Sequence, residues 1–455
     1  MFPLLSFLCF IVLAGCDAQK TSSDPLVDST AQPSDLTQPD SSQQTTETGE
    51  SVDTDGADDT DGQVDNSDTP LAGSIYDYLN QLRESAGMIP LTNNTELEKA
   101  AANHANYLVD NQQFGHGESA SLPGFTGESV ADRANHEGYI GRTVGEGIST
   151  GTTDFQAMDN LFSAIYHRFT LLDPESNEIG IGSVKQSTNS DLILVHNIGN
   201  NDLMSLCRTD SFSGVGAFYN NVCVDDTKVG LEAYDKVLLD TRNLNDQLIV
   251  WPPVNGVNIP PVFFEETPDP LPDYGVSGYP VSIELNTTLS QQFQLNSIFL
   301  FEDETNQLVD STRLLDSISD PSELFTPLQY ALFPLQRLNW NTTYRIEANY
   351  SIDDVIDDKV WKFTTQSPAE SLITIEESQA RFTVTSGVET AIYFPPTHPF
   401  DTLSNIRFVG PADASIDMII FDGNTLLMTI DSAKAATVTI SVNGDMRTIE
   451  ADVVL

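Results

Sequence analysis

The stretch DFQAMDNLFSAIYHRF, residues 154–169, decides the fold, because it is the last segment with helical apolar spacing before the pattern turns strand-like. Wound at 3.6 residues per turn, Phe155, Met158, Phe162, Ile165 and Phe169 form one apolar stripe. His167 falls roughly opposite, beside Gln156, Asn160 and Ser163, so the spacing predicts a histidine facing solvent or a polar cleft. Next come NEIGIGSV (177–184) and DLILVHNIG (191–199), which read as strands. Helices followed by strands predict an α+β, layered domain.

Working back toward the N-terminus, SIYDYLNQLRESAG (74–87) is helix-like, with Ile75, Tyr78, Leu79 and Leu82 on one stripe and Gly87 as its stop. NNTELEKAAANHANYLVDNQ (93–112) is a second helix. Leu97, Ala101, His104 and Leu108 share its face, so His104 reads as a packed histidine. ESVADRANHEGY (128–139) is a third. Toward the C-terminus, residues 251–273, WPPVNGVNIPPVFFEETPDPLPD, hold seven prolines and read as a stiff connector. Short alternating segments follow, among them YPVSIEL, SIFLFED and KVWKFTTQ, as in a sandwich over 274–367. TYRIEANYSIDDVIDDKVWKFTT resembles the last hairpin of bacterial Ig-like domains. Residues 368–455 read as a second small β domain, with hairpin turns at DGN (422–424) and NGD (443–445).

The chain has 455 residues, with 20 Lys plus Arg against 67 Asp plus Glu and a net charge of −47. Such a chain is repelled by phosphate backbones and anionic headgroups, which argues against a nucleic-acid partner. The first 15 residues, MFPLLSFLCFIVLAG, are uncharged and hold an apolar run too short to span a bilayer, as in a signal peptide. LAGC (13–16) resembles the lipobox of bacterial lipoproteins, which makes Cys16 the lipidated mature N-terminus. Residues 16–72 are rich in Ser, Thr, Asp, Gln and Gly and cannot bury a core, so they read as a disordered acidic linker. The expected localisation is the bacterial cell envelope, with the lipid as the membrane contact. Of four cysteines, Cys9 leaves with the signal and Cys16 takes lipid. Cys207 and Cys223 remain, an even pair in an exported chain, and a disulfide is expected.

Several polar motifs occur in a telling order. GMIPLTNN follows the first helix, and FGHGES puts His116 after the second. DRANHEGY carries Arg133, Gly138 and Tyr139; GEGIS carries Glu146; YHR carries His167 and Arg168; a GIG strand closes the set. This order resembles the CAP superfamily (cysteine-rich secretory proteins, antigen 5 and pathogenesis-related proteins) in its bacterial, SCP-like form, over about residues 73–200. The resemblance implies an α-β-α sandwich at 73–230 and a shallow cleft where two histidines and two acids meet. It also implies that the cleft can hold a divalent metal. Carried over, the ligands are His116, Glu146 and His167, with Glu128 a fourth for which Glu118 competes, and Arg133 in the cleft. Two departures stand out: the asparagine of the family's GEN turn is Gly147, and a tryptophan common before the last histidine is Leu161.

Two neutral imidazoles with one or two carboxylates suit Zn²⁺ or a similar divalent ion. The same groups could serve general acid–base chemistry, but no nucleophile sits in a G-x-S-x-G context and no H-E-x-x-H occurs. A hydrogen-bonded structural network is the plain alternative. Three functions follow as expectations. The first is a lipid-anchored envelope protein whose CAP domain binds a metal or an envelope or extracellular ligand, more a binding protein than an enzyme. The second is a metal-assisted hydrolase of peptides or esters. The third is a structural or adhesive surface protein with a non-catalytic CAP domain.

Overall fold

The computed structural model describes residues 10–12 and 74–455, apart from 187–190, 210–211, 213, 226, 264–265, 288–291, 369–370 and 445. The expected signal peptide (1–15), the expected linker (16–72) and Cys16 therefore lie outside the described residues, save the backbone of Phe10–Val12, which pairs antiparallel with Glu146–Ile148. Among the described residues no helix is long and apolar enough to cross a membrane.

The N-terminal unit is an α-β-α sandwich, as the motif order implied. Helix α1 (Ile75–Ser85) starts at a capping box in which Ser74 and Asp77 satisfy each other's amides, and Gly87 follows it with φ +81°. Helix α2 (Thr95–Asn111) is capped by Asn94, which accepts from the amides of Glu96 and Leu97 at 3.0 Å. The sheet runs Gly145–Gly151, Leu192–Gly199, Glu178–Lys185, Thr92–Asn93. Its strand Leu192–Gly199 is buried along its whole length. Leu192, Leu194 and Ile198 pack with Leu79, Met158 and Leu161 on one side, while Ile193 and Val195 pack with Ala101, Ala105 and Leu108 of α2 on the other. The GIG motif has a steric reason. A Cβ on Gly180 would lie 1.9 Å from the Glu98 amide nitrogen, and one on Gly182 2.3 Å from that of Ala102, so only glycine lets α2 lie this close.

The helix expected over 154–169 is two. Helix α4 (Asp154–Ser163) ends where Ala164 turns extended, at φ −73° and ψ 118°, and helix α5 (Ile165–Leu171) begins again. The break spoils a single helical projection: His167 is 1% exposed, not on an open face. The disulfide forms, joining Cys207 of helix α6 (Asn201–Arg208) to Cys223 with Cα atoms 5.5 Å apart. Helix α7 (Leu231–Arg242) leads on to the sandwich.

The sandwich is built from two sheets. One joins Leu248–Trp251, Val281–Leu285, Gln329–Pro334 and Thr312–Leu315; the other joins Gln307–Leu308, Phe293–Glu302, Thr343–Ile352, Val355–Thr365 and Gly256–Ile259. The segment 251–273, expected as a connector, is thus woven into the sandwich. Trp251, Ile259, Val262, Phe263 and Leu271 are all buried, and Val262–Phe263 pairs with Ser277–Gly278. Proline is tolerated at strand starts and edges, so the prolines interrupt these short strands without excluding them. One apolar core runs from Leu79 and Phe162 through Trp251 to Val281 and Phe363, across both units. The rings of Phe162 and Trp251 are 4.6 Å apart, and the Tyr279 hydroxyl donates to the Phe162 carbonyl at 3.1 Å. The C-terminal unit is a second two-sheet sandwich with its own core around Phe394, Leu426, Ile440 and Ile449. Both hairpins expected there form, and Asn443 and Gly444 at the second have φ of +55° and +67°. Arg337 of the first sandwich reaches Asp422 of the second at 2.6 Å.

Candidate functional site

Glu146 is the centre of the site. It sits on the strand Gly145–Gly151, buried, and both its oxygens take Nη2 of Arg133, at 2.7 and 2.6 Å. Arg133 is placed by helix α3 (Val130–His136), which starts at a Ser129–Asp132 capping box. His116 stands in the turn after α2, behind Gly115 at φ +124°, with Nδ1 2.9 Å from Glu146 Oε1. Arg133 Nη1 also donates to the His116 carbonyl at 2.8 Å, so one guanidinium ties loop, helix and strand. Burial alone would raise the Glu146 pKa. The Arg133 charge, with the His116 hydrogen bond and the charges of His104 and His116, overrides it and holds the group at about 2.

Behind this pair lies a second. His104 is fully buried, with Nδ1 2.9 Å from Glu118 Oε1 and Nε2 3.1 Å from the Gly115 carbonyl. It is the packed, satisfied histidine its helical position predicted. Glu118 also accepts from the amides of Thr126 and Gly127; the His104 and Thr126 hydrogen bonds, with nearby charges, outweigh burial and lower its pKa. Of the two acids competing for a place, Glu118 is inside. The Glu128 residue is exposed and contributes its carbonyl, which accepts from Arg133 at 3.4 Å.

His167 pairs with an acid from the sandwich. Its Nδ1 is 3.3 Å from Glu266 Oε2, and both side chains are buried. Glu266 comes from the segment woven into the sandwich, and burial pushes its carboxyl well above the ordinary range. A third imidazole completes the neighbourhood. His196 is fully buried opposite Gly147 in the strand pairing, and a Cβ at 147 would lie 2.2 Å from its Nε2. The glycine that replaces the family's asparagine therefore makes room for this ring. Burial first, then the His167 charge, lowers the His196 pKa to about 3, so the ring is neutral, and it also feels Glu146 and His116. Neither of its nitrogens finds a hydrogen-bond partner among the described residues.

This donor set does not fit the divalent ion that the resemblance implied. A cation at Glu146 would have to displace a guanidinium held on both oxygens. Among the described residues no three His, Cys, Asp or Glu side chains converge as metal ligands. Sequence reasoning missed His196 and Glu266. Period-2 alternation puts His196 on the buried face with Leu194 and Ile198, a signal that was available. Glu266 carried none, since its partners lie about a hundred residues away.

The N-terminal unit is thus a mixed sheet between helices, with His116, Glu146 and Arg133 meeting at the strand Gly145–Gly151. Residues 76–198 match the model of the cysteine-rich secretory protein family, and the chain carries a CAP domain there. Two solved structures are similar over 28% of this chain, each at 21% identity and a TM-score of 0.24: an extracellular SCP-domain protein from Bacillus anthracis str. Ames, 39% of which is covered, and an outer surface protein from Borrelia burgdorferi, 89% of which is covered. This chain thus spans about two-fifths of the length of the Bacillus protein. No curated protein sequence matches the chain.

Proposed function

We propose that this chain is a lipid-anchored envelope protein whose CAP domain binds a ligand beside His116 and does not turn it over. The observation that carries this reading is the state of Glu146. Its carboxylate is ionised, but Arg133 and His116 already occupy it, which suits a fixed recognition surface better than a general base or a metal ligand. The His116 side chain is 8% exposed, against 1% or less for Glu146 and Arg133, so it is the member of the triad that can reach a ligand. A net charge of −47 disfavours polyanions and points to an uncharged or cationic envelope component. The LAGC motif and the acidic segment after it support attachment through Cys16. The hydrolase reading needs His116, Glu146 and His167 around one ion, where the Arg133 guanidinium already holds both Glu146 oxygens.

Titration calorimetry of the purified protein tests this with three probes: a neutral oligosaccharide, zwitterionic lipid vesicles and ZnCl₂. Saturable binding of sugar or vesicle, weakened about fivefold to tenfold in His116→Ala, is expected, because that change removes one hydrogen-bonding contact. No saturable binding by any probe, or tight stoichiometric zinc, overturns the reading. Anchoring is checked separately by Cys16→Ser, which should release the protein from the membrane fraction.

A further inference from the structure

Helix α5 begins without a cap of its own, because Ala164 offers no side-chain acceptor. Glu266 supplies one from the neighbouring unit. It accepts from the amides of Ile165 at 2.6 Å and Tyr166 at 3.3 Å, and its Oε2 lies 3.3 Å from His167 Nδ1. The next residue is held from the same side: Arg168 donates to the Pro280 carbonyl at 2.7 Å and to Ser282 Oγ at 3.2 Å, and its guanidinium lies 5.0 Å from the Tyr279 ring centre. The first turn of α5 is therefore positioned by the sandwich. His196 stands against Gly147, the strand neighbour of Glu146, with its Nε2 2.2 Å from where a Cβ at 147 would lie, and His167 is near enough to act on that ring.

We propose that Glu266 is a positioning residue of the CAP site: through it the sandwich fixes His167, and with it His196 and the His116–Glu146 pair, so that the docking of one module is felt in the cleft of the other. This deepens the proposed binding function and rests on its choice of site, but its test needs no ligand.

The test uses full-length protein with isotope-labelled histidine, at one fixed pH, in Glu266→Ala and Glu266→Gln. In the alanine variant, amide exchange at Ile165 and Tyr166 should accelerate at least about tenfold, the equivalent of one lost buried hydrogen bond. The ring resonances of His167, His196 and His116 should move together, while that of His398 in the C-terminal unit stays put. Glutamine keeps an acceptor and should restore both readouts. Faster exchange in α5 with unmoved His196 and His116 rings overturns the proposal and leaves Glu266 a helix cap. If the alanine variant does not fold, Glu266→Asp, which withdraws the carboxylate by one methylene, should give the same ring shifts, and unmoved rings again overturn it. Absence of ligand binding in the wild type sinks the binding function but leaves this coupling measurable.

Discussion

Arg133→Met removes the charge that neutralises Glu146 while keeping much of the side-chain volume. The Glu146 carboxyl is held at about 2 against an ordinary 4.5, a preference for the ionised form worth about 3 kcal/mol. Without Arg133, burial is the largest remaining influence on Glu146, and the group is left ionised and undercompensated at neutral pH. The expected loss of stability there is about 3–5 kcal/mol, measured as a lower urea midpoint by circular dichroism. The sign of the pH effect follows from the same groups. In the wild type the Glu146 contribution is complete above its unfolded value of 4.5 and is lost as pH falls toward 2. In the variant burial keeps the acid protonated to higher pH, so the gap to wild type should grow as pH rises above about 4.5 and shrink as pH falls toward 2. Glu146→Gln added to Arg133→Met should recover most of the loss. A deficit under about 1 kcal/mol, or one independent of pH, refutes the claim that these two groups form a mutually dependent buried pair.

Two further outcomes are expected. Glu284 sits buried on the strand Val281–Leu285 near Asp173, Glu175 and Arg242, with Oε2 lacking a partner among the described residues, and burial chiefly raises its pKa to about 8. Its folded value lies above the unfolded one, so stability is full below 4.5 and drains as pH rises toward 8. Glu284→Gln should therefore gain up to about 4 kcal/mol over wild type in alkaline urea titrations, and no gain there would contradict it. Gly147→Ala places a methyl 2.2 Å from His196 Nε2, so the ring must move. A crystal structure of that variant with the His196 ring unshifted would show that the glycine is not what makes its room.

Legibility in the sequence followed the range of the interaction. Helices α1 and α2, the GIG strand and both C-terminal hairpins rest on contacts within a few residues, and periodicity and turn chemistry expose them. His104 was readable for the same reason, since its helical neighbours Leu97 and Leu108 define its face. His167 was not. Its placement depends on a break at Ala164 that is capped from residue 266, and a helical projection cannot anticipate a partner that far along the chain. The segment 251–273 misled in another way. Its prolines suggested a spacer, yet Trp251, Val262 and Phe263 between them had the bulk to be core, and burial decided the outcome. Glu118 and Glu128 could be ranked only once a buried arginine showed which acid lay behind it.

The hydrocarbon shared by Phe162, Trp251 and Val281 bears on how such a chain can be inherited. A gene joint cut near residue 250 would strip cover from Ile165, Tyr166 and Phe169, whose cluster is finished by Phe263, Phe325 and Phe333. Beads on a string can be shuffled freely between genes. These first two units cannot, and descent should carry them as a single block, whereas the terminal sandwich keeps its own hydrophobic interior.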